Sequence, residues 1–155
     1  MADENGNSEA QIGWGSEFWL ADASGALVEI DEVIDDMPFD EDAADEIEVT
    51  HYKSPGRRKE FRAGMSSGST ATLVVNYVPD SPTDQLLRGA KRQTRAYREI
   101  IPDETGELGW QIDGYLVVLS LGRAVPMNDR MRRTVNVRFT GAIDEETYTP
   151  CLLYT

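Results

Sequence analysis

Apolar and polar residues alternate with a period of two along most of this chain, which is the pattern of strands with one buried face. Residues 17–22 place Phe18 and Leu20 on one face and Trp19 on the other. Ala23-Ser24-Gly25 then supplies a turn, and residues 27–30 return as the second strand of a hairpin. Residues 46–52 set Ile47, Val49 and His51 against Glu46, Glu48 and Thr50, predicting a half-buried strand. Residues 69–77 are rich in Thr and Val and predict another. Further strands are expected over 94–101, 109–121 and 132–140, the last with Val135, Val137 and Phe139 opposite Thr134, Asn136, Arg138 and Thr140.

The period changes once. Ser81-Pro82-Thr83-Asp84 has the form of a helix start: Ser81 caps, Pro82 suits the first helical position, and Asp84 stands where a capping carboxylate reaches back. The helix is expected to run to about residue 92, with Leu86, Leu87 and Ala90 inward and Arg88, Lys91 and Arg92 on a solvated face.

Four stretches lack either period. Residues 31–45 carry an acid at about every second position, and Pro38 opposes a continuous helix there, leaving an acidic loop with a short helical turn at 41–46. Residues 53–68 read as a long basic loop punctuated by Pro55-Gly56, Gly64 and Ser67-Gly68. A loop that long in a compact domain is usually functional or disordered. Residues 103–106 form a turn, and 147–155 an apolar tail. The predicted fold is mainly β, a β-sandwich or open barrel with one flanking helix and long loops. The expected divisions are a flexible arm at 1–11, one domain over 12–143 and a C-terminal tail at 144–155.

Composition sharpens this picture through the placement of charge. Of 28 acidic residues, 16 precede Lys53, and all 15 Lys and Arg lie at or after it. The net charge of −13 disfavours sequence-independent binding to nucleic acid and to anionic membranes. At 155 residues the chain is long enough to bury a real core. Its single cysteine, Cys151, has no partner for an internal disulfide, which favours a cytosolic site of folding. No signal-peptide pattern opens the sequence, and no apolar run reaches the ~18 residues of a membrane span.

Candidate chemistry is sparse. The one histidine, His51, falls on the apolar face of its predicted strand and reads as a packed or interface residue rather than a catalytic base. With no second histidine, a histidine metal cluster is excluded. Residues 40–45 resemble a calcium loop only superficially, lacking its central glycine and terminal glutamate. No phosphate-binding glycine loop occurs. We therefore expect no enzymatic activity, no catalytic or metal site and no cofactor.

What remains is the basic cluster Lys53, Arg57, Arg58, Lys59 and Arg62, flanked by Tyr52 and Phe61. Charge beside aromatic residues suits a nucleic-acid strand, a solvated loop or an acidic protein surface. The chain itself offers such an acidic surface between residues 31 and 48, so docking onto a second copy is the favoured reading.

Several segments, in order, are similar to the major tail tube protein of long flexible-tailed phages: Ile12-Gly-Trp-Gly-Ser16 before the first hairpin; Ile47-Glu-Val-Thr-His-Tyr-Lys-Ser-Pro55 followed by Arg57-Arg-Lys-Glu-Phe61 and Gly64; Leu73-Val-Val-Asn-Tyr77 with Pro79-Asp80; Trp110-Gln-Ile-Asp-Gly-Tyr-Leu-Val117; and Asn128-Asp129 before a strand closing on Thr140-Gly141. This resemblance implies a structural protomer, six of which close into a ring. Rings stack into a hollow tube around a tape-measure protein, meeting a terminator and baseplate or tip proteins at the ends. DNA passes through without specific binding, and the tube belongs to a virion tail assembled in the bacterial cytoplasm. The same fold recurs in contractile tails and type VI-like secretion tubes.

On this reading Lys53, Arg57, Arg58, Lys59 and Arg62, with Asp35, Asp36, Asp40, Glu41 and Asp42, are candidates for ring stacking. Glu46, Glu48, Thr50, Thr70, Thr72 and Asn76 are candidates for the bore. The alternative is a monomeric binding or adaptor module with an aromatic pocket built from Trp14, Trp19 or Trp110.

Overall fold

The computed structural model describes residues 14–102 and 109–148. Nine strands, one α-helix and one 3-10 turn make up this part of the chain. The strands are β1 (Glu17–Ala21), β2 (Leu27–Glu29), β3 (Val33–Ile34), β4 (Ala43–Glu48), β5 (Phe61–Ser67), β6 (Thr70–Asn76), β7 (Thr94–Pro102), β8 (Gly109–Ala124) and β9 (Arg132–Tyr148). The helix, α1, spans Pro82–Ala90.

Seven strands form one antiparallel sheet in the order β2-β1-β7-β8-β9-β6-β3, curled into a half-barrel. β4 and β5 pair only with each other and stand outside it. The mainly β fold with a single helix expected from the sequence is the fold observed.

Alternation positions the core. Phe18, Leu20, Leu73, Val75, Tyr97, Leu116, Val118, Val135, Val137 and Phe139 project from one face of the sheet and are buried together with Leu87 and Ala90 of α1. Tyr97 lies 6.0 Å from Phe18 in a stacked arrangement and 5.2 Å from Phe139 in a tilted one. Fully burying each large apolar side chain contributes about 1.5–3 kcal/mol, so this face supplies most of the stability.

The helix begins as its sequence predicts. The Ser81 hydroxyl accepts from the Asp84 backbone N–H, a cap worth about 1 kcal/mol. The Asp84 carboxylate reaches back to the Asp80 N–H at 3.2 Å, one residue earlier than the capping-box position. Leu87 and Ala90 face inward as expected, with Leu86 half-buried.

Four expectations fail. Residues 41–46 form no helical turn: β4 starts at Ala43, and Asp40 Oδ1 accepts the Asp42 N–H at 2.9 Å in a turn that launches the strand. The strand expected at 46–52 ends at Glu48 and is fully exposed rather than half-buried. Half of the basic loop is strand β5, because extended backbone there finds a partner in β4. His51 is exposed, which removes the packed reading and leaves the interface one untouched.

Two strands also run further than expected. β8 reaches Ala124, and β9 continues through Tyr148 past a shift of register near Asp113 and Tyr115. Its last five residues pair with Gly109–Asp113, carrying ordered strand beyond the boundary expected at residue 143. The expected arm at 1–11, the turn at 103–106, and Cys151 with most of the apolar tail lie outside the described residues. Among the described residues, no helix is long and apolar enough to cross a membrane.

Candidate assembly interface

β4 and β5 form a two-stranded arm. Their register pairs Ala43 with Ser67, Ala44 with Ser66, Glu46 with Ala63, Ile47 with Arg62 and Glu48 with Phe61, with a bulge around Asp45. Every residue of the arm's two strands is exposed except Gly64, whose missing side chain makes room for Ile47: a Cβ there would sit 2.8 Å from the Ile47 Cδ1. Large apolar groups are left in water. Met65 is 83% exposed and Tyr52 fully so, and Ile47, Val49 and Phe61 are each at least 40% exposed. A two-stranded hairpin with no third strand and no buried face is marginal alone, and exposed apolar groups gathered on one element are a mark of contact surfaces in general.

The tip is shaped by polar contacts centred on Glu60. Its backbone N–H donates to the Thr50 hydroxyl at 2.8 Å, and its carboxylate accepts from the Ser54 hydroxyl and lies 3.4 Å from His51 Nε2. His51 Nδ1 in turn accepts the Lys53 N–H at 3.1 Å. The 3-10 turn Pro55–Arg57 carries both Gly56 and Arg57 at positive φ, holding the basic side chains outward. Lys53, Arg57, Arg58, Lys59 and Arg62 are all exposed, and none makes an ion pair among the described residues.

The expected acidic partners occupy the opposite end of the arm. Asp35, Asp36, Asp40, Glu41 and Asp42 lie between β3 and β4, at the arm's base. Asp40 Oδ1 accepts the Ser69 N–H at 3.0 Å and its hydroxyl at 3.1 Å, and the Glu41 N–H donates to the Ser69 hydroxyl, so Asp40 ties the base to the start of β6. Asp35, Asp36, Glu41 and Asp42 remain exposed. The six residues of β4 rise about 20 Å from base to tip. One copy therefore keeps these five acids apart from the five basic groups of the tip.

The candidate bore residues divide into two groups. Thr70, Thr72 and Asn76 lie on the face of β6 opposite the core. The Thr72 hydroxyl is 3.2 Å from the Asn136 Oδ1, and Asn136 donates to the Ser120 hydroxyl at 2.7 Å, forming a polar row across three strands. Glu46, Glu48 and Thr50 belong to the arm instead. The same sheet face carries groups the sequence reading passed over: Arg98 bonds Asp113 at 2.8 Å, and Gln111 donates to Asp113 and to Glu146 at 2.7 and 2.8 Å. Gln111 and Asp113 stand two residues apart on one strand, a spacing that signals a shared face once the strand is known.

Other candidates take ordinary places. Arg88 is paired with Asp80 at 3.3 Å and Asp84 at 3.2 Å, while Lys91 and Arg92 are exposed. Among the described residues, hollows of about 480 and 510 Å³ are lined by none of Trp14, Trp19 and Trp110. The described residues contain no cluster of acidic, His and Cys side chains suited to a metal.

A family model described as lambda phage tail tube protein matches residues 13–145, and the chain belongs to that family. Solved structures share the fold at low identity. The tail of an empty gene transfer agent particle, refined with C6 symmetry, matches with a TM-score of 0.68 at 21% identity, covering 87% of this chain and 98% of that one. The SPP1 tail tube matches at 0.62 and 8% identity, over 90% and 80% of the two chains. A chain of the anti-feeding prophage baseplate matches at 0.63 and 11% identity, over 94% and 99%. A search of curated protein sequences found no match.

Proposed function

We propose that this chain is the repeating subunit of a virion tail tube, closing in sixes into rings that stack into a hollow conduit for genome delivery. The observation that carries the reading is the arm: a paired hairpin whose apolar and basic side chains find no partner in their own fold. Membership of a tail tube family supports a second copy of this chain as that partner. A ring needs a head-to-tail contact that closes, and a stack needs one that does not. An arm with bases at its tip and acids at its base suits the second.

The sheet supports the first contact. Its two edge strands, β2 and β3, are only three and two residues long. β6 pairs with β9 only as far as Arg138, so residues 141–148 of β9 have a strand on one side alone. Edges of this kind are completed by pairing with neighbours. The polar face holding Thr70, Thr72 and Asn76 then lines the bore, while Glu46, Glu48 and Thr50 move with the arm into the stacking contact. Asp113, Asp144 and Glu146 on the same sheet face repel phosphate and let DNA pass without binding. A tape-measure protein inside, a terminator and baseplate or tip proteins at the ends, and assembly in the bacterial cytoplasm complete the reading. No catalytic step is part of it.

Sedimentation velocity over a range of concentration and salt tests this. Hexamers or longer assemblies that dissolve as salt rises support it. A monomer at every concentration and salt overturns it in favour of a monomeric adaptor.

A further inference from the structure

A hollow of about 480 Å³ opens beside the base of the arm, lined by Phe39, Asp40, Asp42, Tyr97, Ile143 and Glu145 among others. Three of these are carboxylates, brought together from the segment before β4 and from the end of β9. Asp42 and Glu145 make no ion pair among the described residues. Tyr97 is 2% exposed, and its hydroxyl has no hydrogen-bond partner among the described residues. That hydroxyl crosses over Gly114, where a Cβ would stand only 2.9 Å from the oxygen. A buried hydroxyl without a partner costs about 1–3 kcal/mol, so it calls for an occupant.

The lining chooses the chemistry of that occupant. Carboxylates attract a cation, and a tyrosine oxygen accepts a hydrogen bond from its N–H groups. Phe39, which is 39% exposed, offers aromatic surface. A guanidinium satisfies all three, since it donates several directional hydrogen bonds and stacks on rings.

The sequence limits where the guanidinium comes from. The residues outside the described part, 1–13, 103–108 and 149–155, contain no Lys or Arg. Arg88, Arg95, Arg98, Arg123, Arg132 and Arg133 are engaged by hydrogen bonds or ion pairs elsewhere in the fold, and of the rest only Arg57 and Arg58 stand side by side on an arm that projects from the sheet. The unengaged arginines of the arm tip stand one strand length, about 20 Å, from their own arm's base. The hairpin pairing holds them there.

We propose that this hollow is a socket for an arginine of a second copy, Arg57 or Arg58, delivered by that copy's arm. The inference rests on the assembly reading above and names its receptor. Asp42 and Glu145 hold the guanidinium, Tyr97 accepts from it, and Asp40, already tied to Ser69, fixes the rim. Of the acids grouped at the arm's base, Asp40 and Asp42 line the socket, and Glu145 joins them from a strand about 100 residues away in sequence.

A charge swap tests it. Three full-length variants are compared with the wild type for pelletable tubes, with thermal melts to show that each folds: Asp42→Lys with Glu145→Lys, Arg57→Asp with Arg58→Asp, and all four together. Either pair alone is expected to lower tube yield about tenfold or more, and the four together to restore it to within about threefold. Tyr97→Phe, which keeps the ring, is expected to lower yield by a smaller factor. Full assembly by the socket variant overturns the proposal. If both pairs block assembly and the combination does not rescue it, the arm is not the socket's occupant, and the proposal falls while the assembly reading stands. A wild-type chain that forms no assemblies overturns the assembly reading itself.

Discussion

Arg133 on β9 donates to Asp84 on α1 at 2.9 Å, with both side chains more than nine-tenths buried. The pair fixes the start of the helix to the sheet. Arg133 also stands over the Tyr77 ring at 5.0 Å, and Asp84 accepts from Arg88 and from the Asp80 N–H. Removing one member leaves the other charged and buried. Asp84→Ala is expected to destabilise the fold by about 3–5 kcal/mol, whereas Asp84→Leu with Arg133→Met recovers most of the loss. Urea denaturation of the three proteins measures this, and a single variant within about 1 kcal/mol of wild type contradicts it.

Glu99 predicts how stability depends on pH. The residue is 1% exposed beside Phe18 and Ile112, and neither carboxylate oxygen has a partner among the described residues. Burial pushes its pKa from about 4.5 up to about 8. Over that window the folded chain keeps a proton that the unfolded chain has released. Stability therefore falls as pH rises from about 4.5 to about 8, by up to about 1.4 kcal/mol per pH unit. Glu99→Gln is expected to match wild type near pH 5 and exceed it near pH 8. Denaturation curves at the two pH values check this, and an equal difference at both removes Glu99 as the cause.

Gly68 joins the arm to β6 where the chain passes closest to β9. A Cβ there would meet the Phe139 carbonyl oxygen at 1.7 Å, which no local adjustment of a side chain relieves. Gly68→Ala is expected to cost about 3 kcal/mol or more, read from the midpoint of thermal or urea unfolding. Gly89→Ala is the control, because nothing lies within 4 Å of the Cβ it would add. It is expected to stabilise the helix by up to about 1 kcal/mol.

Ser81-Pro82 announced the helix start because capping is local chemistry. β6 and the 132–140 part of β9 were legible because one of their faces is buried, and burial enforces alternation. The arm was misread for the same reason. Ile47 and Val49 alternate with acids as a buried strand does, yet nothing in their own chain covers them. Phe61–Ser67 holds two serines and a glycine and shows little propensity for a strand beyond Phe61; pairing with β4 makes it one. The Asp84–Arg133 pair joins residues 49 apart and left no local trace. Glu145 is similar: its place beside Asp40 and Asp42 depends on a shift of register in β8 and β9 that no sequence period encodes.

The arm's charge gives a prediction about assembly alone. Arg57→Glu with Arg58→Glu touches no residue of the core, so the monomer is expected to unfold within about 0.5 kcal/mol of wild type. Assembly is expected to stop. A single exposed ion pair contributes little, so the loss must come from repetition around a ring. Normal tube length in this variant contradicts a role for the tip in stacking.

Electron microscopy of negatively stained, concentrated wild-type protein tests the central claim most directly. Closing many strands from six copies at about 4.8 Å spacing gives a bore on the order of 40 Å across. Rings with a central hole of that size, stacking into tubes of uniform width, are the predicted result. Fields of separate particles the size of one chain, at concentrations and salt that keep the protein folded, would contradict it.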